Sequence, residues 1–137
     1  MTQTQIDHLG IAVKSLAEAR KFYEKLGLEI MPEETVEAEK VRVAMVPVGE
    51  SRIELLEPTS PDSAIAKFLE KRGPGLHHVA LQVTNLAERV EELKAAGTRL
   101  INAEVQIGAG GHMYVFVHPA STGGVLLELV EEAPLGV

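Results

Sequence analysis

The sequence contains no cysteine and no tryptophan, and only 4% of its 137 residues are aromatic. Without cysteine the chain forms no disulfide bond and offers no thiolate to a metal ion, and this composition fits a cytoplasmic protein. Because aromatic side chains are so few, we expect a hydrophobic core assembled from valine, leucine, isoleucine and alanine.

Long apolar runs and positive charge are also scarce. No stretch approaches the roughly 18 apolar residues of a membrane-spanning helix, and no basic segment followed by an apolar one marks a secretory signal. The 13 Lys and Arg residues against 20 Asp and Glu residues give a formal net charge of −7. Binding to phosphate backbones requires a basic surface, so we expect neither nucleic acid nor a membrane as a partner. A small anionic substrate needs only local positive charge.

The chain does contain an internal repeat. Residues 6–13 are echoed by residues 76–83, seventy positions later, and each copy carries a histidine at its third position, His8 and His78. The same offset relates Gly27 to Gly97, each at the expected end of a helix. A duplicated unit can pair its copies about a pseudo-twofold axis, which would bring the two histidines to one point.

Each copy also closes on a glutamate within an aliphatic strand, Glu54 in the first and Glu128 in the second. A buried carboxylate is costly unless it is paired or binds a cation, and two imidazoles with two carboxylates suit a divalent metal. A lone histidine in such a strand is more often structural, and a lone glutamate can face solvent. The matched positions favour ligation. His77 is a weaker candidate, because strand alternation turns it away from the face of His78.

The local signals predict one domain over residues 5–133, since either half alone is short for an independent core. Module one covers residues 5–58, a connecting helix covers 59–74, and module two covers 75–132. We predict capping boxes in which Ser15 pairs with Glu18 and Asn85 with Glu88. The helix face expected to be buried in module one consists of Leu16, Ala19, Phe22 or Tyr23, and Leu26.

Residues 108–111 read Gly-Ala-Gly-Gly. The segment lacks the Lys-Ser/Thr of a phosphate-binding P-loop, which disfavours that function. We expect a permissive loop that closes over a cavity and lets its backbone approach a ligand.

Together these segments resemble the methylmalonyl-CoA epimerases of the vicinal oxygen chelate superfamily, over nearly all of residues 6–131. The most specific matches are Glu-Leu-Leu-Glu-Pro at 54–58, Gly-Leu-His-His at 75–78 and Gly-Ala-Gly-Gly at 108–111. The resemblance implies an α+β fold in which two βαβββ modules form an open, cup-shaped mixed β-sheet around a metal site, with the helices outside. It places the ligands at His8, Glu54, His78 and Glu128, and it implies a homodimer.

The same resemblance implies the activity. The expected enzyme is a metal-dependent isomerase that interconverts the (2R) and (2S) forms of methylmalonyl-CoA by removing the C2 proton through a metal-stabilised enolate. Glu128 is the implied catalytic residue, and many relatives carry glutamine where this chain has Glu54. The family is usually described with cobalt; Mn²⁺, Mg²⁺, Ni²⁺ and Zn²⁺ also suit these ligands. The family's second proton-transfer position falls on Val43, with Glu39 nearby, so that role is open.

Other functions on the same scaffold remain as alternatives. They are a glyoxalase-type lyase or isomerase, an extradiol dioxygenase with Fe(II), and a non-enzymatic small-molecule-binding protein. A dioxygenase would normally show two histidines and one carboxylate, so Glu54 disfavours it. The presence of all four ligand-type residues disfavours a metal-free binding protein.

Overall fold

The computed structural model describes residues 4–108 and 111–132. Its helices are α1 (Leu16–Lys25), α2 (Ala64–Arg72) and α3 (Leu86–Ala95), and its strands are β1 (Gln5–Ala12), β2 (Glu34–Val36), β3 (Val41–Val48), β4 (Ser51–Pro58), β5 (Gly75–Gln82), β6 (Gln106–Ile107), β7 (Met113–Val117) and β8 (Leu127–Glu131). Short 3₁₀ turns lie at Glu37–Glu39 and Pro119–Ser121. Within these residues, no helix has the length and apolar character needed to cross a membrane.

The predicted duplication and the α+β class are confirmed. The order strand, helix and three strands occurs twice, as β1-α1-β2-β3-β4 and as β5-α3-β6-β7-β8, with α2 in the connection. Hydrogen bonding orders the strands of the first module as β2-β3-β4-β1 and those of the second module as β5-β8-β7-β6. The chain divides into two compact units, His8–His77 (the first unit) and the residues on either side of it (the second unit). The predicted single domain over residues 5–133 stays a prediction.

In the first unit, β4 lies between β1, which runs parallel to it, and β3, which runs antiparallel. Strand alternation gives β4 two faces. Ile53 and Leu55 pack with Leu16 of α1, whereas Leu56 packs with Ile65 of α2. Glu54 alternates with Ile53 and Leu55, so it belongs to the face opposite α1.

The second unit repeats this construction. Strand β8 runs parallel to β5 and antiparallel to β7. Leu129 and Val115 pack with Leu86 and Val90 of α3 in one apolar cluster. Glu128 lies between Leu127 and Leu129 in the strand, so it points to the face opposite α3.

The start of α1 confirms the predicted role of Ser15, whose hydroxyl accepts a hydrogen bond from the Glu18 backbone N–H at 3.2 Å. A second acceptor comes from β4: Glu57 Oε1 accepts from the Leu16 N–H at 2.8 Å. Connecting helix α2 starts in a similar way, with the Ser63 hydroxyl accepting from the Ala66 N–H at 3.0 Å.

The predicted capping box at Asn85 is wrong. Asn85 adopts left-handed backbone angles (φ 55°, ψ 51°), and its side chain makes no capping hydrogen bond. Glu131 takes that place, accepting from the Asn85 N–H at 2.9 Å and the Leu86 N–H at 3.0 Å. A carboxylate at a helix N-terminus is also favoured by the helix dipole. Asn85 therefore forms the turn before α3, and Glu131 caps the helix.

The predicted buried face of α1 is partly wrong. Leu16 is buried, and Ala19 and Tyr23 pack against the same cluster. Of the two alternatives Phe22 and Tyr23, Tyr23 packs against the sheet and Phe22 is 63% exposed. The prediction for Leu26 is wrong, because this side chain is 62% exposed and the helix buries only a narrow stripe.

Candidate metal centre

The first unit holds one of the predicted histidine–glutamate pairs. Gly10 of β1 is level with Glu54 of β4, so His8, two residues before Gly10, shares a face with Glu54. The Nε2 atom of His8 lies 3.6 Å from Oε1 of Glu54, and His8 is buried. The parallel pairing of β1 and β4 therefore brings together an imidazole and a carboxylate that are 46 positions apart in the sequence.

The second unit holds the other pair in the same construction. Ala80 of β5 is level with Glu128 of β8, which places His78 and Glu128 on one face. The Nε2 atom of His78 lies 3.3 Å from Oε1 of Glu128, and both residues are buried. All four predicted ligand residues thus occur as two pairs, one in each unit.

Each pair offers two donor atoms that suit a divalent metal ion. A neutral imidazole offers one ring nitrogen and a carboxylate offers one oxygen, which are ligands of borderline and hard divalent cations. Burial makes an ionised carboxylate expensive unless a cation or a hydrogen bond compensates it. The residues present therefore fit a divalent ion chemically, and they carry no sulfur ligand that would select a soft metal.

The residues opposite the glutamates differ between the pairs. Met45 of β3 is level with Glu54, whereas Phe116 of β7 is level with Glu128. The Phe116 ring meets the His78 ring edge-on, with centroids 5.7 Å apart and an angle of 84°. An apolar neighbour restricts solvent access to a ligand and holds the imidazole in one orientation.

His77, the weaker candidate, has a different setting. Its ring contacts Phe68 of α2 edge-on, with centroids 5.0 Å apart. Within the first unit, His77 is therefore a packing partner of the connecting helix.

The position implied for a second proton-transfer group carries no acid. Val43 lies in β3, level with Leu56, and is buried among apolar residues of the first unit. Glu39 is exposed in the 3₁₀ turn that precedes β3. The position implied for the second proton-transfer group is thus occupied by a hydrocarbon side chain in this protein.

The two helix-capping glutamates were not predicted as such. Glu57 and Glu131 each follow a ligand-type glutamate by three positions, so strand alternation turns them to the opposite face, toward α1 and α3. This spacing was the signal that sequence reasoning could have used. Both anchor the end of a ligand-bearing strand to the helix of the same module.

The glycine-rich segment is described only in part, since Ala109 and Gly110 lie outside the described residues. Gly108 has a close neighbour: a Cβ built there would come within 2.5 Å of Cε1 of His112. A side chain at Gly108 would displace the His112 ring. The expectation that this loop closes over a cavity stays a prediction.

Comparison with known proteins adds a family and an activity among relatives. Residues 7–116 match the model of the Glyoxalase/Bleomycin resistance protein/Dioxygenase superfamily. The chain is 44% identical to protein YqjC of Bacillus subtilis over 128 residues (93% of this chain, 91% of that protein). It is 39% identical to the mitochondrial methylmalonyl-CoA epimerase of Homo sapiens over 127 residues (91% of this chain, 72% of that protein).

A solved structure shows the same fold. A methylmalonyl-CoA epimerase in complex with methylmalonyl-CoA and NH4+ is 37% identical, covers 96% of both chains and superposes with a TM-score of 0.89.

Proposed function

This chain belongs to the Glyoxalase/Bleomycin resistance protein/Dioxygenase superfamily, and from that premise we propose that it is a metal-dependent epimerase of methylmalonyl-CoA. The reaction would interconvert the (2R) and (2S) forms by removing and returning the C2 proton. The observation that carries the proposal is the pair of histidine–glutamate contacts, His8 with Glu54 and His78 with Glu128, at equivalent places of a duplicated module. The similarity to epimerases over 91% of the chain supports the substrate.

We propose that His8, Glu54, His78 and Glu128 together hold one divalent ion, with Co²⁺ favoured by the family resemblance. Four protein ligands would leave the ion able to accept oxygen atoms of the substrate as further ligands. When bound, the cation would supply Lewis-acid stabilisation of the negative charge that develops on the thioester oxygen. The two carboxylates balance the charge of a divalent ion.

Glu128 is the proposed proton-transfer group on one face of the substrate. A carboxylate has two oxygens, so one can serve as a ligand while the other accepts the C2 proton. Its position opposite Phe116 limits the access of water that would compete for that proton. The acid on the other face is not supplied by Val43, and a group outside β3 must protonate that side.

The oligomeric state and the cellular location of the protein are also proposals. We propose a homodimer by family resemblance and a cytoplasmic location from the absence of cysteine. Size-exclusion chromatography with light scattering measures the first directly.

Proton exchange tests the activity. The cobalt-loaded protein, incubated with (2S)-methylmalonyl-CoA in deuterated water, should place deuterium at C2 and form the (2R) isomer, as followed by NMR. No exchange by the metal-loaded protein would contradict the proposal.

A matched pair of variants ties that exchange to the site. His78→Ala should lose most bound cobalt and most exchange, while His77→Ala, one position earlier in β5, should keep the cobalt. Circular dichroism checks that both variants fold. Full cobalt occupancy in His78→Ala, measured by elemental analysis, would remove His78 from the ligand set.

A further inference from the structure

A cation shares the face of the first histidine–glutamate pair. Arg52 precedes Glu54 by two positions in β4, so strand alternation puts both side chains on one face, about 7 Å apart along the strand. The intervening Ile53 and the following Leu55 pack toward α1 on the other face. Leu9 is level with Ile53, which places Arg52 at the start of the paired stretch, beside the segment that carries His8.

This arginine is held within the structure. Its side chain is half-buried, and its Nε atom is buried. A guanidinium loses hydration when it is buried, and proteins offset that loss with an anion or with hydrogen bonds. An arginine kept at such a place is suited to binding carboxylates, because its planar fork of N–H groups matches the two oxygens.

The second module has no cation at the equivalent place. The closing glutamates of the two modules are separated by 74 positions, and the residue 74 positions after Arg52 is Leu126. Module two therefore builds the equivalent place with an aliphatic side chain. The positive charge belongs to one module only, as expected of a residue that meets an asymmetric ligand.

Charge balance indicates what Arg52 would bind. Two ligand carboxylates already neutralise a divalent ion, so a substrate with its own free carboxylate adds a negative charge to the site, and its enolate adds another. One carboxylate oxygen can approach the ion while the second accepts hydrogen bonds from a guanidinium. Resting on the proposed function, we infer that Arg52 is the specificity-determining residue that recognises the free carboxylate of a malonyl-type acyl-CoA.

Two probes that differ only by the carboxylate test this role. Binding of malonyl-CoA and of acetyl-CoA to the cobalt-loaded protein is measured by calorimetry for the parent protein, Arg52→Leu and Arg52→Lys. Leucine is the residue that module two places at the equivalent position. Arg99→Leu, at an exposed site of the second unit, makes the same change of charge and serves as the control.

Arg52→Leu should weaken malonyl-CoA binding by about 10- to 100-fold, the effect of a lost charged hydrogen bond. Acetyl-CoA binding and cobalt content should stay unchanged, Arg52→Lys should recover part of the loss, and Arg99→Leu should match the parent. Equal weakening of both ligands, loss of cobalt in Arg52→Leu, or no preference for malonyl-CoA in the parent would each overturn the inference. Arg52→Gln gives the same comparison if the leucine variant does not fold.

The C2 exchange assay separates this inference from the proposed function. If the parent exchanges C2 deuterium and Arg52→Leu does so with an unchanged KM, the epimerase stands and the role of Arg52 falls. If the parent shows no exchange yet discriminates malonyl-CoA through Arg52, the epimerase falls and the carboxylate site stands.

Discussion

The two modules each place a histidine beside a glutamate on equivalent strands, and they differ in how exposed each pair is to solvent. The His8–Glu54 contact is 3.6 Å and the Glu54 side chain is 16% exposed, whereas the His78–Glu128 contact is 3.3 Å and the Glu128 side chain is 9% exposed. Flexible Met45 faces Glu54, and the rigid ring of Phe116 faces Glu128. Module two therefore holds its pair in the less exposed surroundings, which suits the proton-transfer role proposed for Glu128.

The same contrast appears where each ligand strand meets its helix. In module one, Ser15 and Glu57 share the start of α1, and Glu57 also forms an ion pair with Arg42 at 3.1 Å. In module two, Glu131 accepts two backbone N–H groups at the start of α3. Two side chains therefore cap the start of α1, whereas one side chain caps the start of α3.

The largest expected effect comes from changing Glu128, the proposed proton-transfer residue. Glu128→Gln should retain some cobalt, because an amide oxygen can still coordinate, but it should lower epimerisation by roughly 100-fold or more, the usual effect of removing a general base. Deuterium exchange from one stereoisomer should fall more than from the other, since one base serves one face. A variant that turns over normally once cobalt is supplied in excess would show that Glu128 is only a ligand.

Replacing the two capping glutamates should lower the free energy of unfolding by different amounts in the two modules. Glu131→Ala leaves two N–H groups of α3 without their acceptor and should lower the free energy of unfolding by roughly 1–2 kcal/mol. Glu57→Ala should lose about half as much at the helix, because Ser15 remains. Urea denaturation of both variants measures the difference. Equal losses would mean that the two helix starts are equivalent.

Substitutions of Glu54 should be milder than those of Glu128. Glu54→Gln keeps an oxygen ligand and should preserve cobalt and substantial activity, whereas Glu54→Ala should bind cobalt more weakly. Titration with cobalt and the C2 exchange assay measure both. If the Gln and Ala variants are equally impaired, the charge of Glu54 is required. Glu54 and Glu128 would then be more alike in function than their different exposures indicate.

The smallest expected effect is a pH dependence confined to the first unit. Hydrogen bonds from Lys40 and Ser60 lower the pKa of Asp62 from 3.8 to about 2. A carboxyl group with a lowered pKa stabilises the folded state fully at a pH above its unfolded pKa of 3.8, and that contribution is lost as the pH falls through the folded pKa of about 2. Asp62 is exposed, so Asp62→Asn should lower the free energy of unfolding only slightly at pH 6, and the difference should vanish below pH 2. A difference that persists at the lowest pH would exclude this cause.

Sequence patterns predicted the parts of the molecule that follow from repetition and alternation. The offset that relates His8 to His78, and the apolar flanks of Glu54 and Glu128, selected four residues that the structure brings together as two pairs. Their role as metal ligands stays a prediction.

Sequence patterns do not predict the long-range hydrogen bonds. Glu57 and Glu131 reach helices 41 and 45 positions earlier in the chain, and no local pattern reports such a contact. Asn85 has the composition of a capping residue, but its left-handed backbone and the nearby Glu131 carboxylate decide otherwise. Phe22 and Leu26 fit a helical period as well as Tyr23 does, and only packing against the sheet distinguishes them.

Metal stoichiometry tests most directly whether the two pairs are halves of one centre. Elemental analysis after cobalt loading and gel filtration should give one ion per chain in the parent protein. It should give almost none in the double variants His8→Ala/Glu54→Ala and His78→Ala/Glu128→Ala, because neither half alone holds the ion. Two ions per chain in the parent, with one retained in each double variant, would show that the pairs are separate sites and would contradict the account.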